Sequence, residues 1–283
     1  MSKLSNKPAS QWTAGEISAR LGISTAIFQK VRLGADQIAE IRQAGITRIE
    51  VLLKSGHFDC GDSDQVKEVL EECQKQGVTV VSVHGRLDLP YKSESEEDKR
   101  LVLIESLSGI RFAEGAGASI YVAHFVNKEH SKETVMELLD RTDGYNVKLT
   151  TENMGALPPY VKTVDEIGSD RFGLTVDIGH PRDSDGINPF VKEERARQAL
   201  SECAGRVFHV HLHDTFRLKQ KADHRPPMHE DGIIQWGEVF AALRDMSYKG
   251  ELLFEDGRGE DPEEWIRLTA AFPQAFFERY GKD

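Results

Sequence analysis

The residues of this chain that could do chemistry recur at the ends of apolar stretches. His84 closes VTVVSVH, His124 closes SIYVAH and Glu152 closes VKLTTE. Asp177 and His180 close FGLTVDIGH, and His211, His213 and Asp214 close VFHVHLHD. Glu255 and Asp256 close ELLFED. Glu, Asp and His together are the ligand set of Mn²⁺, Co²⁺, Zn²⁺ or Fe²⁺. A lone histidine at a strand end is ordinarily a hydrogen-bonded structural residue. Glu152 is harder to account for that way, because a carboxylate closing a buried strand costs several kcal/mol unless it is paired or metal-bound. Recurrence from one stretch to the next points to a metal site. Cys60, Cys73 and Cys203 are too scattered for a thiolate zinc site or a disulfide framework, which suits a reducing cytoplasm.

The elements that must position these groups follow from periodicity. Strand-like runs cover 21–28, 47–53, 78–85, 119–125, 147–153, 172–180, 207–214 and 251–256. Several are nearly continuous in apolar character, as parallel strands covered on both faces are. Helical patterns lie between them. DQVKEVLEECQKQG carries Val66, Val69, Leu70 and Cys73 on one stripe and ends at Gly77. DKRLVLIESLSGIRFAEG ends at Gly115 and WGEVFAALRDMSYKG at Gly250. Asp261 and Pro262 open a last helix as cap and first helical residue. The pattern predicts an α/β fold, a single-domain (β/α)₈ TIM barrel, with active-site groups at the C-terminal ends of its strands. A doubly wound open sheet is the rival, but no Gly-rich phosphate loop follows an early strand. The barrel occupies 1–283, with 1–20 as an N-terminal extension and 257–283 holding a C-terminal helix.

Composition narrows the function classes. The chain has 283 residues, with 36 Lys+Arg against 47 Asp+Glu, a net charge of −11. That charge argues against nucleic acid as a partner, because phosphate binding needs a basic face. RLKQK (217–221) is the one short basic cluster. No apolar run approaches the roughly 20 residues of a membrane helix, and MSKLSNKPASQW lacks the apolar core of a secretory signal. A homo-oligomer is compatible with all of this.

Strand parity sharpens two positions. His209, His211 and His213 share one face of the seventh strand. If that face points inward, His209 is a core residue, His211 lies at the depth of a rim ligand, and His213 sits above it or leaves the strand. Glu255 and Asp256 face opposite ways. Glu255 is expected inward with Leu253, leaving Asp256 to cap a loop.

These motifs bear a resemblance. ENMG (152–155), VDIGH (176–180), HVHLHD (209–214) and GIIQWGEVFAALRDMSYKGELLFED (232–256) are jointly similar to the xylose-isomerase-like barrel superfamily. It holds sugar isomerases, sugar epimerases, inosose dehydratases and metal-dependent apurinic endonucleases. The resemblance runs from about Gly22 to Phe277. It implies a divalent metal held by Glu152, Asp177, His211 and Glu255. It further implies His84 and His124 as second-metal ligands in the endonuclease branch. His180 would be a third-metal ligand there and a substrate contact in sugar epimerases. Arg217, six residues after His211, would help to position substrate, and His84 is a second candidate for substrate contact. ADHRPPMHEDG (222–232) departs from the endonuclease pattern. Asp223 and His224 stand adjacent where an Asp-x-His pair is expected, so a third metal there is in doubt.

The resemblance makes a carbohydrate the expected substrate. The expected activity is that of a metal-dependent isomerase or epimerase acting on a ketose or keto-cyclitol. The ion would polarise adjacent oxygens, and Glu152 and Glu255 would remove and return a proton through a metal-stabilised enediolate. Loss of a hydroxyl instead would make it a lyase. The alternatives are a metal-dependent apurinic-site endonuclease and a metal-binding accessory subunit of the same superfamily.

Overall fold

A computed structural model describes residues 12–219 and 223–281. Gln220 and Lys221 of the basic cluster, and residues 1–11 of the expected extension, lie outside the described residues. Eight strands, β1 (Leu21–Ser24), β2 (Arg48–Leu52), β3 (Thr79–His84), β4 (Ile120–Ala123), β5 (Lys148–Glu152), β6 (Phe172–Asp177), β7 (Val207–Leu212) and β8 (Leu252–Phe254), close into a barrel in chain order. Every pairing is parallel, and β1 against β8 completes the ring. Nine helices accompany them in the described residues: α1 (Ala14–Arg20), α2 (Ala35–Gln43), α3 (Ser63–Gln76), α4 (Glu96–Gly115), α5 (Glu129–Arg141), α6 (Leu157–Ile167), α7 (Glu193–Ser201), α8 (Trp236–Asp245) and α9 (Pro262–Tyr280). This is the single-domain (β/α)₈ architecture that the periodicity predicts, with α1 added ahead of β1. No helix among the described residues is long and apolar enough to cross a membrane.

Local chemistry sets the boundaries. The Asp62 carboxylate accepts from the amides of Asp64 and Gln65 to start α3, and Gly77, at φ 65°, ends it. Asp261 caps α9 by accepting from Glu264 N. The first apolar run breaks after Ser24, whose hydroxyl accepts from Ala26 N and turns Thr25–Phe28 into a 3₁₀ turn. The α8 helix stops at Asp245, short of Gly250, because Ser247 sits in the left-handed region at φ 56°. Residues 12–20 are part of the barrel wall: Trp12 Nε1 donates to Phe240 O at 2.7 Å, and α1 packs on α9.

Asp214 holds the end of β7 to the start of α8. Its buried carboxylate accepts from Thr215 N (2.9 Å), Ile234 N (3.1 Å) and Trp236 Nε1 (2.9 Å). The sequence places Asp214 among the rim groups, but its oxygens are committed to this joint. Asp214→Ala leaves three buried donors without their acceptor, a loss of about 2–4 kcal/mol. Thermal denaturation followed by circular dichroism should show a melting point lower by on the order of 10 °C. A shift of only a degree or two would mean that Asp214 does not carry this joint.

Candidate active site

Four strands bring Glu152, Asp177, His211 and Glu255 to one level. Glu152 and Asp177 are the last residues of β5 and β6, His211 is the penultimate residue of β7, and Glu255 directly follows β8. Asp177 pairs with His211 across the sheet, and His211 with Leu253, so the register sets their common height. One donor atom from each of the four lies within 4.8 Å of all the others, and all four side chains are buried. That spacing is close to the width of a coordination sphere whose bonds are about 2.0–2.2 Å long. Asp177 Oδ1 accepts from Gly179 N, His180 N and His213 Nε2, while Oδ2 has no hydrogen-bond partner among the described residues. His211 Nδ1 is likewise without one, 3.2 Å from Glu255 Oε2 and 3.4 Å from Glu152 Oε2. Buried polar atoms left this way are costly in a dry site, and a cation is what this donor set would satisfy. The residues fit a divalent metal.

Histidines surround the carboxylates. Glu152 Oε2 lies 3.0 Å from His84 Nε2 and 3.2 Å from His124 Nε2, and Oε1 lies 3.1 Å from His180 Nδ1. Burial pushes the Glu152 carboxyl up. The His211 charge and hydrogen bonds from His124 and His180 outweigh that and hold it well below the usual range. Burial likewise opposes a proton on His84, but the Glu152 hydrogen bond and the Glu255 charge raise that imidazole to about 9. His180 reaches about 9, with Asp177 and Glu152 overcoming burial. The mouth of the barrel therefore holds strongly anionic carboxylates that imidazolium protons or metal ions must neutralise.

A second group forms on the far side of Asp177. His180 Nδ1 is 3.9 Å and His224 Nε2 is 3.7 Å from Asp177 Oδ2, and the His213 and His224 rings stack at 4.0 Å. His213 leaves the strand, as β7 ends at Leu212. Gly179 makes room for it, since a Cβ there would come within 1.8 Å of the His213 ring. His224 reaches Asp177 because the chain turns back and bridges Asp214 to Arg225. Asp223 does not join it. His224 lies in the left-handed region at φ 33°, so the backbone turns between the two side chains. The Asp223 carboxylate instead takes hydrogen bonds from the Thr215 hydroxyl and Phe216 N (3.3 Å) and lies 3.3 Å from Arg225 Nε. Of these two weaker ligand candidates, His224 therefore faces Asp177 and Asp223 does not. Arg217 is half exposed with Nε 3.9 Å from that same carboxylate, and it stands outside the described residues that line the cavity above the cluster.

That cavity has a volume of about 900 Å³ and opens over His124, His180 and His224. Its walls include Tyr91, Met154 and three cations, Lys92, Arg182 and Lys219, and no carboxylate among the described residues. Asp256 caps a loop, accepting from Arg258 N (2.8 Å) and Gly259 N (2.6 Å), while Glu255 turns inward. One buried group escaped the sequence reading. Glu50, in the middle of β2, lies 3.3 Å from both His209 Nε2 and His211 Nε2. The signal was present as a lone carboxylate inside the apolar run TRIEVLL.

Residues 38–275 match the family described as the xylose isomerase-like TIM barrel. The uncharacterized protein MJ1311 of Methanocaldococcus jannaschii is 23% identical over 268 residues, 87% of this chain and 86% of that protein. A D-psicose 3-epimerase of Enterocloster bolteae is 28% identical over 120 residues, 42% of this chain and 32% of the epimerase. A solved D-psicose 3-epimerase from Clostridium cellulolyticum H10, crystallised with D-tagatose, superposes with a TM-score of 0.69 at 14% identity, over 93% of this chain and 99% of that one. At that identity the likeness is one of fold. The family match spans most of the closed barrel and includes every strand that carries the buried cluster: this chain belongs to the xylose isomerase-like TIM barrel family.

Proposed function

We propose that this protein is a divalent-metal-dependent isomerase or epimerase of a ketose or keto-cyclitol. One observation carries the reading: two glutamates from non-adjacent strands, Glu152 and Glu255, flank a buried His211 and share a four-residue donor set with Asp177. Glu152, Asp177, His211 and Glu255 would hold the ion. A divalent ion there supplies Lewis acidity toward a carbonyl oxygen, making the neighbouring C–H acidic. Glu255 is the carboxylate best placed to move a proton. It is buried at 7% exposure, a little less deeply than Glu152, and lies 3.2 Å from His211 and 3.8 Å from His84. Glu152, 1% exposed and held by three histidines, keeps its oxygens in a set direction and serves the opposite face. His84 and His180 lie against these carboxylates, within reach of substrate hydroxyls. The ketose 3-epimerase similarity supports a sugar substrate. The cations Lys92, Arg182 and Lys219 make phosphorylated ketoses part of any substrate panel. Three free cysteines suit the cytoplasm.

A second reading has its own observation. His84 and His124 on Glu152, and His180 and His224 on Asp177, form two further candidate metal groups, as a phosphodiester-cleaving centre would need. The net charge of −11 opposes it.

Three outcomes are expected. Elemental analysis should find at least one divalent metal in purified protein and most of it lost in His211→Ala; equal content in both would remove His211 from the ligand set. Glu152→Gln and Glu255→Gln should each cut turnover about 10³-fold or more, as loss of a proton carrier that is also a ligand does. In wild type, solvent deuterium should enter product beside the carbonyl. Full activity in either variant, or product free of deuterium, contradicts the two-carboxylate mechanism. Abasic duplex DNA should neither bind at about 150 mM salt nor be cut with Mn²⁺ or Zn²⁺. Incision that His84→Ala abolishes would make this a nuclease.

A further inference from the structure

Below the four-residue set, at the centre of the barrel, lies a second polar layer that the proposed proton transfer does not use. Glu50 is fully buried on β2. Its Oε2 accepts from Ser82 Oγ at 2.8 Å, across the pairing of Glu50 with Ser82 on β3. The same oxygen lies 3.3 Å from His211 Nε2 and 3.3 Å from His209 Nε2. Glu50 therefore reaches across the barrel interior from β2 to β7. His211 presents its two nitrogens to different worlds: Nε2 faces Glu50 below, and Nδ1 faces Glu152 and Glu255 above. A histidine that binds metal through one nitrogen must carry its proton on the other, and an acceptor fixed at that proton sets both ring angle and protonated site.

We infer that Glu50 is a positioning residue for the metal centre, holding the Nε2–H of His211 so that Nδ1 points into the set of Glu152, Asp177 and Glu255. Ser82 is its brace. The Ser82 hydroxyl fixes the Glu50 carboxylate in the orientation that meets the ring, and His209 fills the space beneath. The inference rests on the metal-dependent reading of the site.

The geometry also allows a rival. Glu50, His209 and His211 form a buried group close enough to hold an ion of their own. Two features favour the positioning role. His211 would have to bridge two ions through both ring nitrogens, losing every ring proton. The Ser82 hydroxyl also donates to Oε2, the Glu50 oxygen that faces both imidazoles.

The test compares wild type, Glu50→Gln and Glu50→Leu by Co²⁺ and Zn²⁺ titration calorimetry, with melting of the metal-free proteins as a control for folding. Glu50→Leu should bind the same number of ions with affinity lower by about 10- to 100-fold, and Glu50→Gln, which keeps an acceptor, should recover part of it. The visible spectrum of the Co²⁺-loaded protein should shift in Glu50→Leu as the imidazole reorients. NMR of ¹⁵N-histidine protein, with and without Zn²⁺, should show a slowly exchanging Nε2–H of His211 in wild type that Glu50→Leu loses. Unchanged affinity and spectrum in a folded Glu50→Leu would reduce Glu50 to a packing role. One ion fewer per chain would make it a ligand. If wild type binds no divalent ion, the metal reading fails. The His211 proton in metal-free protein then still reports whether Glu50 holds the ring.

Discussion

The constraint on which the barrel mouth depends is the burial of four carboxylates, Glu50, Glu152, Asp177 and Glu255, where little water can solvate them. Two carboxylates cannot both stay ionised at close range in a dry site without compensating positive charge. Here the compensation comes from imidazoles interleaved with them: His84, His180, His211 and His213 all hold a proton more tightly than a free imidazole, because the carboxylates beside them outweigh their burial. Such an arrangement is held by its own electrostatics, since removing one partner strands the other's charge. A divalent ion and a histidine proton are interchangeable currency for this cluster, and that is what makes it receptive to metal.

The surrounding structure serves this cluster in identifiable ways. Parallel pairing in chain order delivers the ends of β3 to β8 around one opening. Asn153 locks β5 to β6 through its side chain: Nδ2 donates to Asp177 O and Oδ1 accepts from Asp177 N, both at 3.0 Å. Gly179 and Gly257 lie where any Cβ would collide with the rings of His213 and His224. The crowding of imidazoles is therefore bought with bare backbone at those two points.

Legibility from sequence follows the physics of each residue. Strands β3 to β8 were readable because each apolar run ends on an ionisable residue, and parity along β7 separates His209 from His211 in depth. Glu50 was overlooked because it interrupts a strand instead of ending it. Its partner His211 is 161 positions away, so only the closed barrel brings the two together. The adjacency of Asp223 and His224 departs from a spaced Asp-x-His pair, and the backbone turn at His224, φ 33°, sends one side chain to Asp177 and the other to Thr215 and Phe216. The role of Asp214 as a joint was hidden for a related reason. Its three donors come from the next residue and from a segment 20 and 22 positions on, and nothing in HVHLHD distinguishes a ligand from a brace.

The two glutamates illustrate how one residue type acquires two roles from its surroundings. Both lie in the same donor set, and both touch His211. Glu152 is gripped by histidines on each oxygen, so its orientation is determined before any substrate arrives. Glu255 follows the shortest strand, β8, and is met only by His211 at 3.2 Å and His84 at 3.8 Å in the ion pairs around it. A base must approach carbon closely enough to take a proton and then withdraw, which a carboxylate clamped on both oxygens does poorly. Epimerisation needs two carriers on opposite faces, one rigid and one with some travel. A nuclease centre instead needs every carboxylate fixed on its ions. Within one donor set, Glu152 is held by histidines at both oxygens while Glu255 is met at 3.2 Å and 3.8 Å, so this barrel restrains its two glutamates unequally.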